Sequence, residues 1–205
     1  KEVVTKYDKL LDEFIIKKIK EKYPNHKILS EESGFLSGNS EYLWIVDSLD
    51  GSSNFANKNP LFSICIALAK GKKLILSSIS APAIGEFYFA KRNFGAFLNG
   101  KKIFVSKISD FSQSYIFYCD GKEKDKKRIT KIFSRIFPKV KDMRKIGSAG
   151  IETGWIASGR GEAFFVTRID PWDIAAGVLL VKEAKGKVTD FLGNSWKLKS
   201  GDFLF

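Results

Sequence analysis

Four strand-like runs follow one another between Phe62 and Leu98, and this meander constrains the architecture more than any other feature of the chain. The runs cover 62–69, 74–80, 86–90 and 96–98, and the pairs Gly71-Lys72, Ile84-Gly85 and Asn99-Gly100 supply turns between or after them. An earlier strand is predicted over 42–46, where an unbroken apolar run marks burial on both faces, and a shorter one over 28–30. Helical periodicity brackets the strands. Over 6–23, Leu11, Ile15 and Ile19 recur every four residues with Leu10 and Phe14 alongside, one apolar stripe that Pro24 and Asn25 end. Further helices are predicted over 122–137, over 148–158 with Gly159 closing it, and over 171–184. Residues 164–166 read as a strand and 186–190 as a turn and strand. Mixed helices and strands around a meander predict a layered α/β (α+β type) arrangement. A length of 205 residues suffices for one core, hence a single domain over 1–205.

Composition removes several function classes. Hydrophobic residues make up 44% and charged residues 28%, as in a folded globular chain rather than a disordered one. The longest apolar stretch, 61–69, is interrupted by Ser63 and stops at Lys70, too short to span a bilayer. No charged segment followed by an apolar one opens the chain, so no secretory signal is read and a cytoplasmic location is expected. Cys65 and Cys119 lack zinc-site spacing and are expected as free thiols. The net charge of +12 comes mostly from Lys, in runs such as 17–20 and 122–128, where Glu123 and Asp125 are interleaved as on a solvated helix face. The 18 Phe fall inside apolar runs rather than between basic residues, so nucleic acid is not expected as the main partner. A basic surface equally steers a small anion. The start at Lys1 and the finish inside Phe203-Leu204-Phe205 suggest that both termini are incomplete.

Three acidic sites carry the chemistry. Asp47 and Asp50 follow the buried run Trp44-Ile45-Val46, where carboxylates are costly unless something positive meets them. Their spacing in a loop lets both side chains and the carbonyl of Leu49 turn toward one hard cation, although Asp-x-x-Asp-Gly-Ser is also good solvated-turn chemistry. Glu31-Glu32 follows the strand at 28–30 and alone reads as a surface or capping pair. Asp173 lies three residues after Asp170 with Pro171 between, an ordinary helix-capping pattern. Together, around Gly51-Ser52-Ser53-Asn54, they describe a metal cluster beside backbone N–H groups able to seat a phosphate.

At these residues the chain resembles the inositol monophosphatase family of lithium-sensitive, magnesium-dependent phosphatases. Val4-Thr5-x-x-Asp8 is similar to the family's Val-Thr-x-x-Asp, and Glu31-Glu32-Ser33 to its Glu-Glu-Ser. The run from Trp44 through Asp47-Ser48-Leu49-Asp50-Gly51-Ser52-Ser53-Asn54 to Phe55 matches the first signature, Trp-Ile-Ile-Asp-Pro-Ile-Asp-Gly-Thr-Thr-Asn-Phe. Pro171-Trp172-Asp173-Ile174-Ala175-Ala176-Gly177, followed by Glu183-Ala184, matches the second. The resemblance implies an α-β-α-β-α sandwich of the inositol monophosphatase/fructose-1,6-bisphosphatase type, commonly a homodimer. It implies two or three Mg²⁺ ions, with Li⁺ as an inhibitor. Glu31, Asp47 and the Leu49 carbonyl would hold one ion, and Asp47, Asp50 and Asp173 a second. Glu31 and the Ser52 hydroxyl, backed by Asp8, would orient the attacking water. Gly51, Ser52 and Ser53 would seat the phosphate, with Ser148, Ala149 and Asp173 on the substrate side. Residues 1–120 are thereby expected to bind metal and phosphate and 121–205 to supply the substrate half.

Departures from the family pattern bear mainly on the leaving alcohol. Ser48 stands for Pro and Ser52 for Thr, and neither removes a ligand. Seven residues before Asp173, where inositol-handling members carry a Glu, this chain has Val166, which argues against myo-inositol phosphate. Arg168 and Lys145 suggest a second anionic group on the substrate, and Glu152 is a pocket candidate; as surface charge, the two basic residues need no such role. The helix that precedes Val-Thr-x-x-Asp in the family would lie ahead of Lys1. The expected activity is hydrolysis of a small sugar or polyol phosphate by metal-activated water, like that of an inositol-1-phosphate phosphatase. Fructose 1,6-bisphosphatase or histidinol-phosphatase activity, or an added RNA- or RNA polymerase-binding role, are the alternatives.

Overall fold

The computed structural model describes residues 6–119, 126–198 and 201–205. The Val4-Thr5 pair and positions 122–125 of an expected helix lie outside them. The chain opens on helix α1 (Lys6–Lys22), then forms strands β1 (Lys27–Ser30), β2 (Gly34–Leu36) and β3 (Tyr42–Asp50) and the short helix α2 (Ser52–Ala56). The meander comprises β4 (Ser63–Lys70), β5 (Lys73–Ala81), β6 (Glu86–Lys91), β7 (Gly95–Leu98) and β8 (Lys101–Ile103). There follow β9 (Tyr115–Cys119), α3 (Lys126–Ile136), β10 (Asp142–Arg144), α4 (Ala149–Ala157), β11 (Ala163–Ile169), α5 (Pro171–Glu183), β12 (Thr189–Asp190) and β13 (Gly201–Leu204).

The strands form two sheets. One has eight strands in the order β2-β1-β3-β4-β5-β6-β7-β8, and the other five in the order β10-β9-β11-β13-β12. Side-chain alternation assigns the layers. Along β3, Ile45 joins the central core, whereas Trp44 and Val46 pack with Ile15, Ile16 and Ile19 of α1 on the outer face. Helices α4 and α5 fill the space between the sheets, where Ile174, Val178 and Val181 share one core with Tyr88 and Ala90 of the larger sheet and Phe117 and Phe164 of the smaller. Helix α3 covers the outer face of the smaller sheet, with Ile129, Ile132, Phe133 and Ile136 over Ile116, Met143 and Phe165. The order of layers is α-β-α-β-α. No helix among the described residues is long and apolar enough to cross a membrane.

Two expectations change. Leu10 and Phe14 do not belong to the buried stripe of α1: they are 56% and 59% exposed, and the buried positions are Asp8, Asp12 and Ile19. The reason is local. Beneath the first turns of α1 the protein presents the hydroxyls of Ser30, Ser33, Ser48 and Ser52, which favour carboxylates over apolar groups. The loop expected after Val46 is instead a continuation of β3 through Asp50, carried by pairing with β4. Strands β2, β8, β9, β10 and β13 were not legible; all but β9 span only three or four residues, too few for periodicity to carry a signal.

Candidate active site

A β-bulge puts the two signature aspartates on one face of the sheet. Asp47 pairs with Cys65 and Asp50 with Ser63, so three steps on β3 match two on β4. Without the extra residue, side chains three apart would point to opposite faces. With it, both carboxylates face the inter-sheet layer, where the N-termini of α4 and α5 arrive.

Asp50 meets the first of these helices. Its Oδ1 accepts the Ala149 N–H at 3.0 Å, and its Oδ2 accepts the Gly150 N–H at 2.9 Å and the Ser63 hydroxyl at 2.7 Å. The Ser148 hydroxyl donates to Oδ2 as well. Ser148 and Ala149, expected on the substrate side, thus direct their donors at Asp50. Burial raises the Asp50 carboxyl above its ordinary range, and donors from Ser148, Ser63, Gly150 and Ala149 draw it partly back.

At the second helix, Asp173 serves both readings of its sequence position. The Asp170 N–H donates to Asp173 Oδ2 at 3.1 Å, as helix capping requires. The same carboxylate meets Glu31 and Asp47, one oxygen from each of the three lying within 4.8 Å of the others. Burial first, then the charges of Asp50, Asp173 and Glu31, push the Asp47 carboxyl well above the ordinary range. Burial, then Glu31 and Asp50, does the same to Asp173. Like charges gathered in a buried layer call for a cation, and carboxylates with a nearby carbonyl are the donor set of a hard divalent ion. The residues fit a metal.

Helix α1 closes the cluster from outside the sheet. The Ser52 hydroxyl lies 2.7 Å from Asp8 Oδ1 and 2.8 Å from the Leu49 carbonyl, and its single proton serves one of them at a time. The Leu49 N–H donates to Asp47 Oδ1 at 3.0 Å, which closes the turn of the bulge. Asp12, not singled out from sequence, accepts from Ser30 and from Ser33, the residues on either side of Glu31-Glu32. Its signal was its place four residues after Asp8, on the same helical face.

A cavity of 460 Å³ opens beside the cluster, with Glu31, Asp50, Gly147, Ala149, Arg168 and Asp173 in its wall. Gly51, with φ +86°, turns the chain into α2, where Ser53 is exposed. Asn54 of α2 donates to the carbonyls of Leu61 and Ile146 at 2.6 and 2.9 Å, which ties α2 to the loop ahead of α4. Lys145 is exposed and is not among the lining residues. Val166 is fully buried in the inter-sheet core and does not line the cavity either. Glu152 is no pocket residue: it is fully buried, and its Oε1 accepts the Ile146 N–H at 2.9 Å from the opposite side of that loop. Arg168 does line the cavity, with a left-handed backbone (φ +48°) and its N–H donating to Asp202 Oδ1 at 2.9 Å.

The same fold recurs in proteins of known family. A curated relative from Thermotoga maritima, named fructose-1,6-bisphosphatase/inositol-1-monophosphatase, is 35% identical over all of this chain and 78% of its own length. The Nus factor SuhB of Escherichia coli is 35% identical over 98% of this chain and 76% of its own. A solved Thermotoga maritima IMPase superposes with a TM-score of 0.93 at 35% identity, covering 100% of this chain and 78% of the other. Residues 1–205 match the profile of the inositol monophosphatase family from end to end, and with both signatures folded around one acidic cluster, the chain belongs to that family.

Proposed function

We propose that this chain is a Mg²⁺-dependent phosphomonoesterase acting on a small sugar or polyol phosphate. The meeting of Glu31, Asp47 and Asp173 within 4.8 Å beside an open cavity carries the reading. Glu31, Asp47, Asp50, Asp173 and the Leu49 carbonyl would hold two or three ions, with Li⁺ as a competitor. Bound Mg²⁺ supplies charge neutralisation for the phosphate oxygens and lowers the pKa of a bound water. The chain's own groups do the remaining work. The Ser52 hydroxyl, set between Asp8 and the Leu49 carbonyl, and Glu31 orient the water. Gly51, Ser52 and Ser53 receive the phosphate, and Ser148 and Ala149 act through the Asp50 carboxylate that they hold. The substrate enters from the cavity side, against Asp173.

One observation narrows the alcohol. Arg168 places a cation in the cavity wall, so substrates with a second anionic group, such as fructose 1,6-bisphosphate, are favoured over neutral polyols. The name of the Thermotoga relative fits that preference. The test is phosphate release from inositol, fructose, histidinol and nucleotide phosphates, with and without Mg²⁺, beside Asp50→Asn. Release that needs Mg²⁺ and falls at least about a hundredfold in the variant is expected. No release from any compound would reject the reading and bring forward an RNA- or RNA polymerase-binding role.

A further inference from the structure

Glu31 is the most exposed of the three clustered acids, yet it must be held against two that the fold buries or half-buries. It sits in the turn 31–33 between β1 and β2, which pair antiparallel with Ser30 opposite Gly34. A turn of this kind, carrying two adjacent glutamates beside Asp47 and Asp173, is pushed outward by like charge. A backbone bond from the Glu31 N–H to the Val46 carbonyl at 3.2 Å resists this.

A further restraint comes from helix α1. Asp12 is 1% exposed, and its two oxygens accept from the two serines that flank the glutamates: Oδ1 from Ser30, and Oδ2 from Ser33 at 2.5 Å. A buried carboxylate that takes one hydroxyl on each oxygen fixes both ends of the turn at once. Asp8, one helical turn earlier, accepts from Ser52, and its backbone carbonyl accepts from Ser48 at 3.0 Å. The same helix therefore touches both sides of the acidic cluster, at points about 6 Å apart along its axis. We infer that Asp12 is a positioning residue: through Ser30 and Ser33 it sets Glu31 at the spacing from Asp47 and Asp173 that a divalent cation requires. The inference rests on the metal reading proposed above. Asp12 itself touches neither metal nor substrate. It acts on the first through the turn.

The test is calorimetric titration of Mg²⁺ alone into the full chain, with no substrate, for wild type, Asp12→Ala, Asp12→Asn and Ser33→Ala. Thermal unfolding in EDTA is recorded for each. Asp12→Ala is expected to weaken Mg²⁺ binding by about tenfold or more, the usual scale for losing a group that orients a ligand. Ser33→Ala removes one of two hydroxyls and should fall between wild type and Asp12→Ala. Asp12→Asn keeps an oxygen for one serine and should recover part of the affinity. Should Asp12→Ala fail to fold, the Ser33→Ala titration decides alone. Unchanged Mg²⁺ affinity in folded variants, with only a lower unfolding temperature, would make Asp12 a purely structural group and overturn the inference. A wild-type chain that binds no Mg²⁺ would remove the metal reading itself, and the inference with it.

Discussion

Gly51 and Gly147 approach so closely that a Cβ on Gly51 would lie 3.1 Å from the Gly147 carbonyl oxygen and 3.1 Å from that of Leu61. Gly51 also has φ +86°, a conformation that a side chain disfavours. Gly51→Ala therefore meets two penalties at the point where α2 and the loop before α4 touch. The expected result is a drop of at least about tenfold in phosphate release, with an unfolding temperature lowered by several degrees. Gly71→Ala is the control, because Gly71 has φ +57° with open space around it. It should cost about 1 kcal/mol of stability and leave activity alone. Equal losses in the two variants would show that the close approach has no functional weight.

Removing one clustered charge should separate stability from metal response. Asp47→Asn relieves repulsion from Asp50, Asp173 and Glu31 and keeps an oxygen for the Leu49 N–H. In EDTA the variant should unfold at a higher temperature than wild type. Mg²⁺ at a hundredfold excess over its Kd should stabilise wild type by about 2.7 kcal/mol for each ion bound and the variant by far less. Differential scanning calorimetry with and without the ion checks both. An unchanged Mg²⁺ response in Asp47→Asn would exclude that carboxylate from the metal site.

Glu152 predicts a pH effect away from the metal cluster. Burial is the main cause that raises its carboxyl well above the ordinary value of 4.5, and no partner reaches its Oε2 among the described residues. An acid whose folded value lies above its unfolded one contributes stability that is fully present below 4.5 and is lost as pH rises through the folded value. Glu152→Gln is neutral throughout and keeps an acceptor for the Ile146 N–H. Its stability should fall less than that of wild type as pH rises above 4.5, so that the difference between the two widens. Urea midpoints across that range measure it, and parallel curves would contradict a buried neutral carboxyl.

Arg168 permits a substitution that removes charge without straining the chain. Its left-handed backbone suits glycine, so Arg168→Gly adds no backbone strain. The ratio of kcat/KM for fructose 1,6-bisphosphate to that for inositol 1-phosphate should drop about tenfold, the scale of one charge-assisted contact. An unaltered ratio would free Arg168 from any part in specificity.

What the sequence showed of this protein follows from the range over which each signal acts. The meander was legible because turn residues and alternation are local, and α5 was legible because Asp170, Pro171 and Asp173 mark its start. The bulge at Asp47 was not, since it exists only in the register of β3 against β4. The exposure of Leu10 and Phe14 was hidden for a related reason: which face of α1 is buried depends on the serines beneath it. Asp12 carried a periodic signal, but its partners lie 18 and 21 residues away. For Ser148 and Ala149 the motif indicated the place, while the acceptor that engages them became visible only in the folded chain.

The link between Asp50 and the start of α4 also bears on how the protein acquires its activity. The bonds from Ser148, Ala149 and Gly150 to this carboxylate span 98 to 100 residues of sequence. Contacts of that range form late, because a long loop must close before they gain anything. The larger sheet uses strands only from Lys27 to Ile103 and has its pairing partners in place before α4 has been synthesised. A nascent chain that has completed this sheet still carries Asp50 without the helix that receives it. On refolding, regain of turnover is therefore expected to come no earlier than regain of β-structure.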